Sequence, residues 1–376
     1  MTPAGVIHKV FPAALVWFLQ LQPCAPENVT ATTPYDYDYN TSTDYDDYPQ
    51  QCGKASNNHF RLWFMPLFFS AICLLGLAGN LLVIVTVFYF QRLKTMTDVY
   101  LLNLAVADLL LALTLPLRAA SCLARWALGL FLCKAMYTVY KLSFYSGMFL
   151  LSLISVDRYF AVAKAVSSHR RRTEAALFSK VSAAAVWVAA LVFSVPEMVY
   201  TNTDNGDCAP FPRGNKSLLV RVQSGQIALG FGLPLLVMTF CYTCIVQTLC
   251  QARSFERNKA IKVILAVVAV FLLSQVPYNA VLFLNTVLAA TGDVVDCDVD
   301  NRLMYATDLT QCLAFLRCCL NPFVYAFIGV KFRHDFMKLL KDFGCLSHAT
   351  FYRYAWGRRR SSAATDTEST TNTFSP

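Results

Sequence analysis

Residues Leu62–Phe90 read LWFMPLFFSAICLLGLAGNLLVIVTVFYF, an apolar run that is long enough to cross the hydrocarbon core of a bilayer as a helix. Six further apolar runs follow it along the chain: Val99–Cys122, Leu130–Val162, Ala175–Tyr200, Val222–Leu249, Ala260–Ala289 and Leu303–Ile328. Spans of this kind must be helical, because lipid cannot satisfy the hydrogen-bonding groups of an exposed backbone. The sequence therefore predicts an all-α membrane protein with a seven-transmembrane helix bundle over residues 61–330.

The composition agrees with a membrane protein, since 56% of the residues are hydrophobic and only 15% are charged, against about 25% charged residues in soluble domains. A shorter apolar run, Val10–Leu21, follows Lys9 and ends near Cys24. A basic flank, a short apolar core and a polar exit are typical of a cleaved signal peptide. We therefore predict a signal peptide over residues 1–24, with an uncleaved anchor as the alternative.

The basic residues between the runs indicate the orientation, because cytoplasmic loops carry an excess of Lys and Arg. They follow the first run, flank the third and fourth, lie between the fifth and sixth, and follow the seventh: Arg92, Lys94, Lys164, Arg170, Arg171, Arg172, Lys180, Arg253, Arg257, Lys259, Lys262, Lys331, Arg333, Lys338 and Lys341. This predicts a multi-pass plasma-membrane protein with an extracellular amino terminus and a short cytosolic amphipathic helix over residues 331–345. The net charge of +9 then lies mostly at the inner leaflet, so the lipid bilayer is the expected partner of these residues, and nucleic acid is not.

Residues 25–60 form an acidic segment ahead of the first run. Five tyrosines and five aspartates lie between Tyr35 and Tyr48 (YDYDYNTSTDYDDY), and no Lys or Arg lies between Pro26 and Cys52. Such a stretch cannot bury enough apolar surface to fold alone. We interpret it as an extracellular binding segment for a basic partner, with a solubilising tail as the alternative. Sequons predict glycosylation on the same side of the membrane, at Asn28, Asn40 and Asn215.

Four of the fourteen cysteines fall on the predicted outer side, where oxidising conditions favour disulfides. Cys133 lies at the outer end of the third run and Cys208 in the following outer loop, so these two can pair. Cys52 precedes the first run and Cys297 precedes the seventh, and these two runs are neighbours if the bundle closes into a ring. The sequence alone allows three pairings. Cys345, on the cytosolic side, is a candidate for palmitoylation.

Charged and strongly polar side chains inside the apolar runs are costly in lipid and are functional by default. Asp108 lies in the middle of the second run (LLNLAVADLL), Arg158 at the cytosolic end of the third (SVDRYF) and Asn321 near the end of the seventh (NPFVYAF). For each residue alone, a satisfied hydrogen bond between helices is an equally good explanation. Together, at these depths and in this order, they indicate a shared mechanism.

Motifs in every run resemble those of the rhodopsin-like G-protein-coupled receptors. They are Gly79-Asn80, Leu104–Asp108, Asp157-Arg158-Tyr159, Trp187, Pro234, Pro277 and Asn321–Tyr325. Within that family the chain is similar to the chemokine receptors, because of Thr114-Leu115-Pro116, the four outer cysteines and RCCLNPFVYAFIGVKFR at Arg317–Arg333. FERNKAIKVI at Phe255–Ile264 and the ending TTNTFSP narrow the likeness to one subtype of CC chemokine receptor.

The resemblance implies a receptor that is activated from outside the cell and couples to an inhibitory-class heterotrimeric G protein. Asp157 holds Arg158 in the closed bundle, and Arg158 is freed to reach Tyr242 when the sixth helix, kinked at Pro277, swings outward. Further roles in activation fall to Asp108, Tyr159, Arg317, Asn321, Pro322 and Tyr325. The alternatives are an atypical receptor that internalises chemokine and couples to arrestin without G-protein signalling, and a CC chemokine receptor of another subtype.

The resemblance also implies regulation through the polar segment at residues 346–376, which is predicted to be a disordered cytosolic tail. Receptor kinases would phosphorylate it and arrestin would then bind the added negative charge. The candidate sites are Ser361, Ser362, Thr365, Thr367, Ser369, Thr370, Thr371, Thr373 and Ser375.

The ligands implied by the resemblance are basic CC chemokines, and the subtype likeness indicates the lymphoid-homing ligands 19 and 21. Their basic surface fits the acidic leader, whose charge sulfation would increase at Tyr35, Tyr37, Tyr39, Tyr45 or Tyr48. The signal requires the amino terminus of the ligand to enter the bundle, and the candidate pocket residues are Tyr140, Lys141, Gln226, Tyr278, Asn279, Asp308 and Gln311. A purely structural pair between Lys141 and Asp308 is an alternative to ligand binding by these two residues.

Several positions depart from the usual residues of the family. Gln275 stands where the family usually has Trp, Gln311 where many chemokine receptors have Glu, and Arg118 where they often have Trp. Arg317 occupies a position at which many relatives of the wider class help coordinate sodium with a neutral polar side chain. We therefore predict that an Asp108–Arg317 pair replaces the sodium ion, and we expect no metal site.

Other membrane-protein classes are excluded by the residues that they would need. The seventh run has no lysine for a retinal Schiff base, and the halves of the chain show no repeat of the kind found in secondary transporters. All five histidines fall outside the span interiors, and no H-E-x-x-H, G-x-S-x-G or P-loop pattern occurs. The chain is therefore predicted not to be an enzyme and to require no cofactor.

Overall fold

The computed structural model describes residues 59–90, 96–163, 172–204, 206–211, 216–251, 256–291, 296–328 and 330–350. The predicted signal peptide, the acidic segment up to residue 58, the three sequon asparagines and the phosphorylatable sites of the tail lie outside these ranges. Within them the chain is almost wholly helical, as the apolar runs predict.

All seven predicted spans are helical. They are α1 (Met65–Tyr89), α2 (Met96–Leu123), α3 (Gly129–Ala163), α4 (Arg172–Tyr200), α5 (Lys216–Gly225) with α6 (Leu233–Gln251), α7 (Glu256–Thr291) and α8 (Cys297–Ile328). Most of the helices begin a few residues before the apolar run, because a helix can continue into the interfacial region where its polar side chains are solvated. A further helix, α9 (Val330–Asp342), follows where the short amphipathic helix was predicted.

The helices pack as a closed ring. The consecutive helices α1 to α4 lie side by side, as do α6, α7 and α8, while α8 also packs against α1 and α3 also contacts α6. Within the described residues, six helical segments are long and apolar enough to span a membrane. The helix α8 is less apolar because it includes Asp298, Asp300, Arg302, Asp308 and Arg317. Its position between α7 and α1 identifies it as the seventh helix of the ring.

Close contact between α1 and α8 depends on glycine and on a proline. A Cβ atom at Gly79 would lie 3.0 Å from the ring of Pro322, so only glycine allows this approach without a shift. Pro322 has no N–H and cannot bond to the carbonyl of Cys318, four residues earlier. The side-chain amide of Asn80 donates to that carbonyl instead, over 2.8 Å. The proline therefore creates the acceptor by which α1 holds α8.

Polar side chains inside the bundle join α2 to α3 and α4. Trp187 of α4 donates from Nε1 to the Oδ1 atom of Asn103 over 2.9 Å. Ser143 of α3 donates to the backbone carbonyl of Ala107 over 2.5 Å. An unpaired polar group in an apolar surrounding would cost about 2–7 kcal/mol. These bonds therefore fix which faces of the helices meet, as well as holding them together.

A short β-hairpin follows α4, and the sequence analysis did not predict it. Its strands are β1 (Asn202–Asp204) and β2 (Asp207–Ala209), which pair antiparallel. Gly206 lies in the turn with a left-handed φ of +79°, a conformation that favours glycine. The carbonyl of Gly206 accepts a 2.7 Å hydrogen bond from the backbone N–H of Trp126, in the segment between α2 and α3. The hairpin is therefore held against the end of the bundle.

A disulfide ties this hairpin to the bundle. Cys208 of β2 is bonded to Cys133 of α3, with their Cα atoms 5.8 Å apart. Cys133 is fully buried beside Trp126 and Met136. Cys297 is also disulfide-bonded, and Cys52, one of its candidate partners from the sequence, lies outside the described residues. We call this end of the bundle the disulfide end.

Two π-helical turns were also not foreseen. One, Phe60–Phe64, leads into α1, and the other, Gln226–Gly232, separates α5 from α6. A Cβ atom at Gly230 would overlap the ring of Tyr145 on α3. Glycine at this position therefore allows the wider turn to lie against α3, with Gln226 at its start.

Replacing Cys133 by Ser should destabilise the folded chain and release the hairpin. The disulfide joins residues 75 positions apart, and removing a cross-link from a loop of this length costs about 2–5 kcal/mol. The measurement is the thermal unfolding midpoint of the purified full-length chain in detergent. Cys122→Ser is the matched control, because Cys122 is a free, partly buried thiol. Equal changes in the two variants would show that the cross-link does not stabilise this end of the bundle.

Candidate functional site

A cavity of about 630 Å³ lies between the helices at the disulfide end. Its polar and charged lining residues are Arg61, Arg118, Ser121, Tyr137, Tyr140, Lys141, Glu197, Gln223, Gln226, Tyr278, Asp308 and Gln311. Three of these side chains are cations and two are carboxylates, so the wall carries a net charge of one positive unit. Such a wall suits a charged peptide segment better than an apolar molecule.

One side of the cavity is organised around Glu197, which is fully buried. Gln226 donates from Nε2 to Oε1 of Glu197 over 2.8 Å, and Lys141 donates to Oε1 of Gln226 over 2.9 Å. The ammonium group of Lys141 also lies 3.5 Å from the Glu197 carboxylate. This set joins α3, α4 and the π-helical turn, and it neutralises one cation with one acid.

The opposite side is closed by a two-point ion pair. Arg61 donates from Nε to Oδ2 of Asp308 over 2.5 Å and from Nη2 to Oδ1 over 3.0 Å. Paired, parallel hydrogen bonds of this kind are among the strong ones in proteins. They join the turn before α1 to α8. Lys141 and Asp308 therefore have separate partners, and the pair between them that the sequence left open is not the arrangement found.

Arg118 is the third cation of the wall, and its surroundings are aromatic. The guanidinium carbon lies 5.0 Å from the ring centre of Tyr137, 4.8 Å from that of Tyr140 and 5.4 Å from that of Phe315. Cation–π attraction stabilises a desolvated guanidinium in such a position. The side chain is 9% exposed, and its Nε atom has no hydrogen-bond partner among the described residues.

Six of the seven predicted pocket residues line the cavity: Tyr140, Lys141, Gln226, Tyr278, Asp308 and Gln311. The structure does not bring Asn279 to it. Asn279 donates to the backbone carbonyl of Gln275 over 2.9 Å and lines a separate apolar groove with Phe231 and Phe283. Adjacent helical residues point about 100° apart. The sequence therefore identified the part of α7 that borders the cavity, but of its two adjacent candidates only Tyr278 faces the cavity, and Asn279 lies on another face of the helix.

Deeper in the bundle, polar residues of α2 and α8 meet around Asp108, beside Gly147 of α3. Asn321 donates from Nδ2 to Oδ2 of Asp108 over 2.7 Å. The Nη2 atom of Arg317 lies 3.7 Å from Oδ1 of Asp108, and both side chains are buried. A Cβ atom at Gly147 of α3 would overlap the Arg317 guanidinium. Glycine at this position therefore makes the space that the arginine occupies.

This arrangement does not fit a sodium ion. The Arg317 guanidinium approaches the carboxylate that the ion would require, and it fills the space beside Gly147. Arg317 also supplies the positive charge through a covalently attached side chain. The proximity of Asp108 and Arg317 agrees with the pair expected from the sequence.

Gln275 makes a polar link where the family usually has an aromatic residue. Its side chain is fully buried, and Nε2 donates to the backbone carbonyl of Ala314 over 3.1 Å. The Oε1 atom has no hydrogen-bond partner among the described residues. This bond joins α7 to α8 within one turn of Pro277, so the kinked region of α7 is attached to the helix that carries Arg317.

At the opposite end of the bundle, Asp157 and Arg158 are joined through Thr97 of α2. The Oγ1 atom of Thr97 donates to Oδ2 of Asp157 over 2.5 Å and accepts from Nη2 of Arg158 over 2.6 Å. Asp157 therefore holds Arg158 through a threonine bridge and not only as its sequence neighbour. Arg158 is exposed at this end. Tyr242 of α6 and Tyr159 lie on the adjoining faces of α6 and α3.

The remaining predicted site residues lie at proline kinks or outside the described part of the chain. Pro277 and Pro322 lie inside α7 and α8. Outside lie the side chain of Tyr325 and the leader, sequon, Cys52 and tail positions: Tyr35, Tyr37, Tyr39, Tyr45, Tyr48, Asn28, Asn40, Asn215, Ser361, Ser362, Thr365, Thr367, Ser369, Thr370, Thr371, Thr373 and Ser375.

The sequence analysis did not indicate six of the polar residues that line the cavity, or Thr97 at the opposite end; the six are Arg61, Arg118, Ser121, Tyr137, Glu197 and Gln223. Glu197 could have been found, because it is an acidic residue in an apolar run and such residues are functional by default. Arg61 directly precedes the first run, where an arginine is unremarkable unless its partner on α8 is known. Thr97 carries no signal, because its function depends on how α2 packs against α3.

Comparison with known proteins agrees with this arrangement. A sequence model of the family described as 7 transmembrane receptor (rhodopsin family) matches residues 79–325. The human CC chemokine receptor type 7 is 46% identical over 377 residues, which cover 98% of each chain. The mouse CC chemokine receptor type 7 is also 46% identical, over the whole of both chains. The mouse CC chemokine receptor type 9 is 37% identical over 88% of this chain and 93% of its own.

A near-full-length match at this identity includes the cavity, the Asp108 cluster and the Arg158 end of the bundle. The subtype likeness seen in the sequence motifs agrees with the type 7 receptors, and receptors of this kind signal and are not enzymes. The chain therefore belongs to the CC chemokine receptors, within the rhodopsin family of seven-transmembrane receptors.

Proposed function

We propose that this chain is a plasma-membrane receptor, with its amino terminus outside the cell, for basic CC chemokines that include ligands 19 and 21. It activates inhibitory-class heterotrimeric G proteins and so drives leukocyte chemotaxis. The observation that carries the proposal is the 46% identity to human CC chemokine receptor type 7 over 98% of the chain. Receptor kinases and arrestin then end the signal at the phosphorylated tail.

The charges of the chain support a basic protein ligand. Five aspartates accompany the five leader tyrosines between Tyr35 and Tyr48, and sulfation would add further negative charge. Each exposed ion pair contributes only about 0–1 kcal/mol. The leader therefore acts mainly by steering the ligand and raising the association rate. Binding strength and signal must come from the ligand segment that enters the cavity.

A single helix, α3, extends from the cavity to the end of the bundle that carries Arg158. The helix α3 carries Lys141 at the cavity, Gly147 against Arg317 and Asp157 beside Thr97. A ligand can shift the equilibrium between two bundle arrangements only by binding one of them more tightly. A ligand segment that changes the partners of Lys141 would thus bias the same helix whose other end holds Arg158.

Cells that express the full-length chain should respond to CC chemokine ligands 19 and 21 with a fall in cyclic AMP that pertussis toxin blocks. The toxin inactivates the inhibitory class of G protein, so the block identifies the coupling partner. A panel of other CC chemokines, tested in the same assay, shows how selective the receptor is.

Arg158→Ala provides the matched variant for this assay. It should retain chemokine binding, because Arg158 lies at the opposite end of the bundle from the cavity. Its G-protein response should fall at least about tenfold, since an exposed charge that meets the G protein is removed. Chemokine uptake without any fall in cyclic AMP in the unmodified receptor would reject the proposal and support the atypical scavenging receptor.

We further propose that agonist affinity is insensitive to sodium, because Arg317 occupies the place of the ion beside Asp108. Agonist binding to cell membranes should be the same in sodium chloride and in an organic-cation chloride of equal ionic strength. Arg317→Asn removes the attached cation and should create sodium sensitivity, seen as lower agonist affinity when sodium is present. Adding Asp108→Asn should remove that sensitivity again, since the carboxylate is then lost.

A strong loss of agonist affinity on adding sodium to the unmodified receptor, abolished by Asp108→Asn, would contradict this assignment. Asn103→Ala serves as the control, because Asn103 lies on the same helix and its side chain bonds to Trp187 and to the carbonyl of Val99. Its agonist affinity should not respond to sodium.

A further inference from the structure

The described residues that line the cavity include one more cation than carboxylates, and the cation without an acidic partner among them is Arg118. Arg61 is paired with Asp308, and Lys141 is paired with Glu197 through Gln226. Arg118 also lines the cavity, where its guanidinium lies against the rings of Tyr137, Tyr140 and Phe315, and among the described residues no acid forms an ion pair with it.

The guanidinium of Arg118 is largely removed from water, so a hydrogen-bond donor of this group that lacks a partner cannot simply be satisfied by solvent. Arg118 is more than nine-tenths buried, and its Nε atom has no hydrogen-bond partner among the described residues. An arginine guanidinium stays charged in proteins and presents donors in a fixed fork that matches a carboxylate. Aromatic rings stabilise its charge but cannot accept its in-plane hydrogen bonds in the way that an oxygen does. The cavity therefore contains a donor group that an incoming anion can satisfy.

We propose that Arg118 is an anion-binding subsite of the cavity and that it takes a carboxylate from the segment of the chemokine that enters the bundle. This inference rests on the proposed function, because the ligand is assumed to be a chemokine. An acidic side chain of that segment accepts hydrogen bonds from the guanidinium, while Tyr137 and Tyr140 confine it from one side. The subsite recognises an acid within a ligand that is basic overall.

Two features favour a carboxylate over other occupants. The wall carries one net positive charge, which an acidic side chain neutralises and a neutral or basic one does not. A chemokine is a polypeptide, and the anionic groups that an unmodified polypeptide offers are carboxylates. Chemokine receptors often have tryptophan at the position of Arg118. A tryptophan could not bind a carboxylate through a charged group, so receptors with the usual residue would lack this recognition of an acid.

The test is a double-mutant cycle between receptor and ligand. The receptors are the full-length chain and Arg118→Gln, and the ligands are chemokine 19 and variants in which each Asp or Glu ahead of its first cysteine is changed singly to Asn or Gln. Arg118→Gln should weaken binding of the unmodified chemokine by at least about tenfold, as expected when one partner of a buried charge pair is removed. One ligand variant should bind the unmodified receptor more weakly by a similar factor. The same ligand variant should bind Arg118→Gln with the affinity that the unmodified chemokine has for Arg118→Gln.

Two further receptor variants separate ligand recognition from folding. Arg118→Lys keeps the charge and should keep part of the affinity, while Arg118→Glu should regain affinity for the chemokine whose critical acid is changed to Lys. Arg125→Gln is the matched control, because Arg125 is an exposed arginine at the same end of the bundle that does not line the cavity. Losses that add independently at every acidic position would overturn the proposal.

A ligand-independent measurement keeps this inference distinct from the proposed function. If the chain binds chemokine but gives no G-protein response, the cycle is measured by binding alone and still decides the question. If no chemokine binds, purified full-length chain is melted in increasing sodium acetate at constant ionic strength. A rise in the unfolding midpoint that Arg118→Gln abolishes and Arg125→Gln preserves supports the subsite, since a bound anion stabilises the folded state. An equal rise in all three proteins shows a general salt effect and rejects it.

Discussion

The structure depends on the pairing of a buried carboxylate with a buried guanidinium at the centre of a membrane bundle. An isolated charge in this environment is costly, and removing one partner of a buried pair costs about 3–5 kcal/mol. Asp108 of α2 therefore requires Arg317 and Asn321 of α8. Next to Arg317 in the chain, the free carbonyl of Cys318 is held by Asn80 of α1. The interior of α8 is thereby fixed to α1 and α2 within two helical turns.

The same requirement explains the cavity. Four charged side chains there are neutralised in two pairs, each of which joins different helices, so the wall is rigid as well as polar. Charges that satisfy one another inside the protein offer little to a ligand, because a new contact must first break an existing one. Arg118 differs because, among the residues that the structure describes, aromatic rings and not an acid compensate its charge. Affinity for an acidic group can therefore be gained there without the loss of an internal pair.

The helices were predictable because the length of an apolar run can be read directly from the sequence. The proximity of Asp108 and Arg317 was predictable because the family motifs indicate the depth of both residues in the bundle. The faces of the helices were less predictable. Tyr278 and Asn279 were assigned to one pocket, yet only Tyr278 lines it. The bridge through Thr97 and the π-helical turn at Gln226 depend on how helices pack, and neither leaves a pattern in a single sequence. Glu197 did leave one, as an acidic residue within an apolar run.

A covalently attached cation beside Asp108 changes how such a bundle can be regulated. An exchangeable ion that prefers one arrangement would add its own concentration dependence to the equilibrium between arrangements. Arg317 is always present, so its contribution is built into the sequence and cannot vary with the surrounding salt. Movement of α8 would have to carry Arg317 past Gly147 or separate it from Asp108. The bias toward the active arrangement must then come from the ligand in the cavity and the G protein at Arg158, each through its preference for one arrangement.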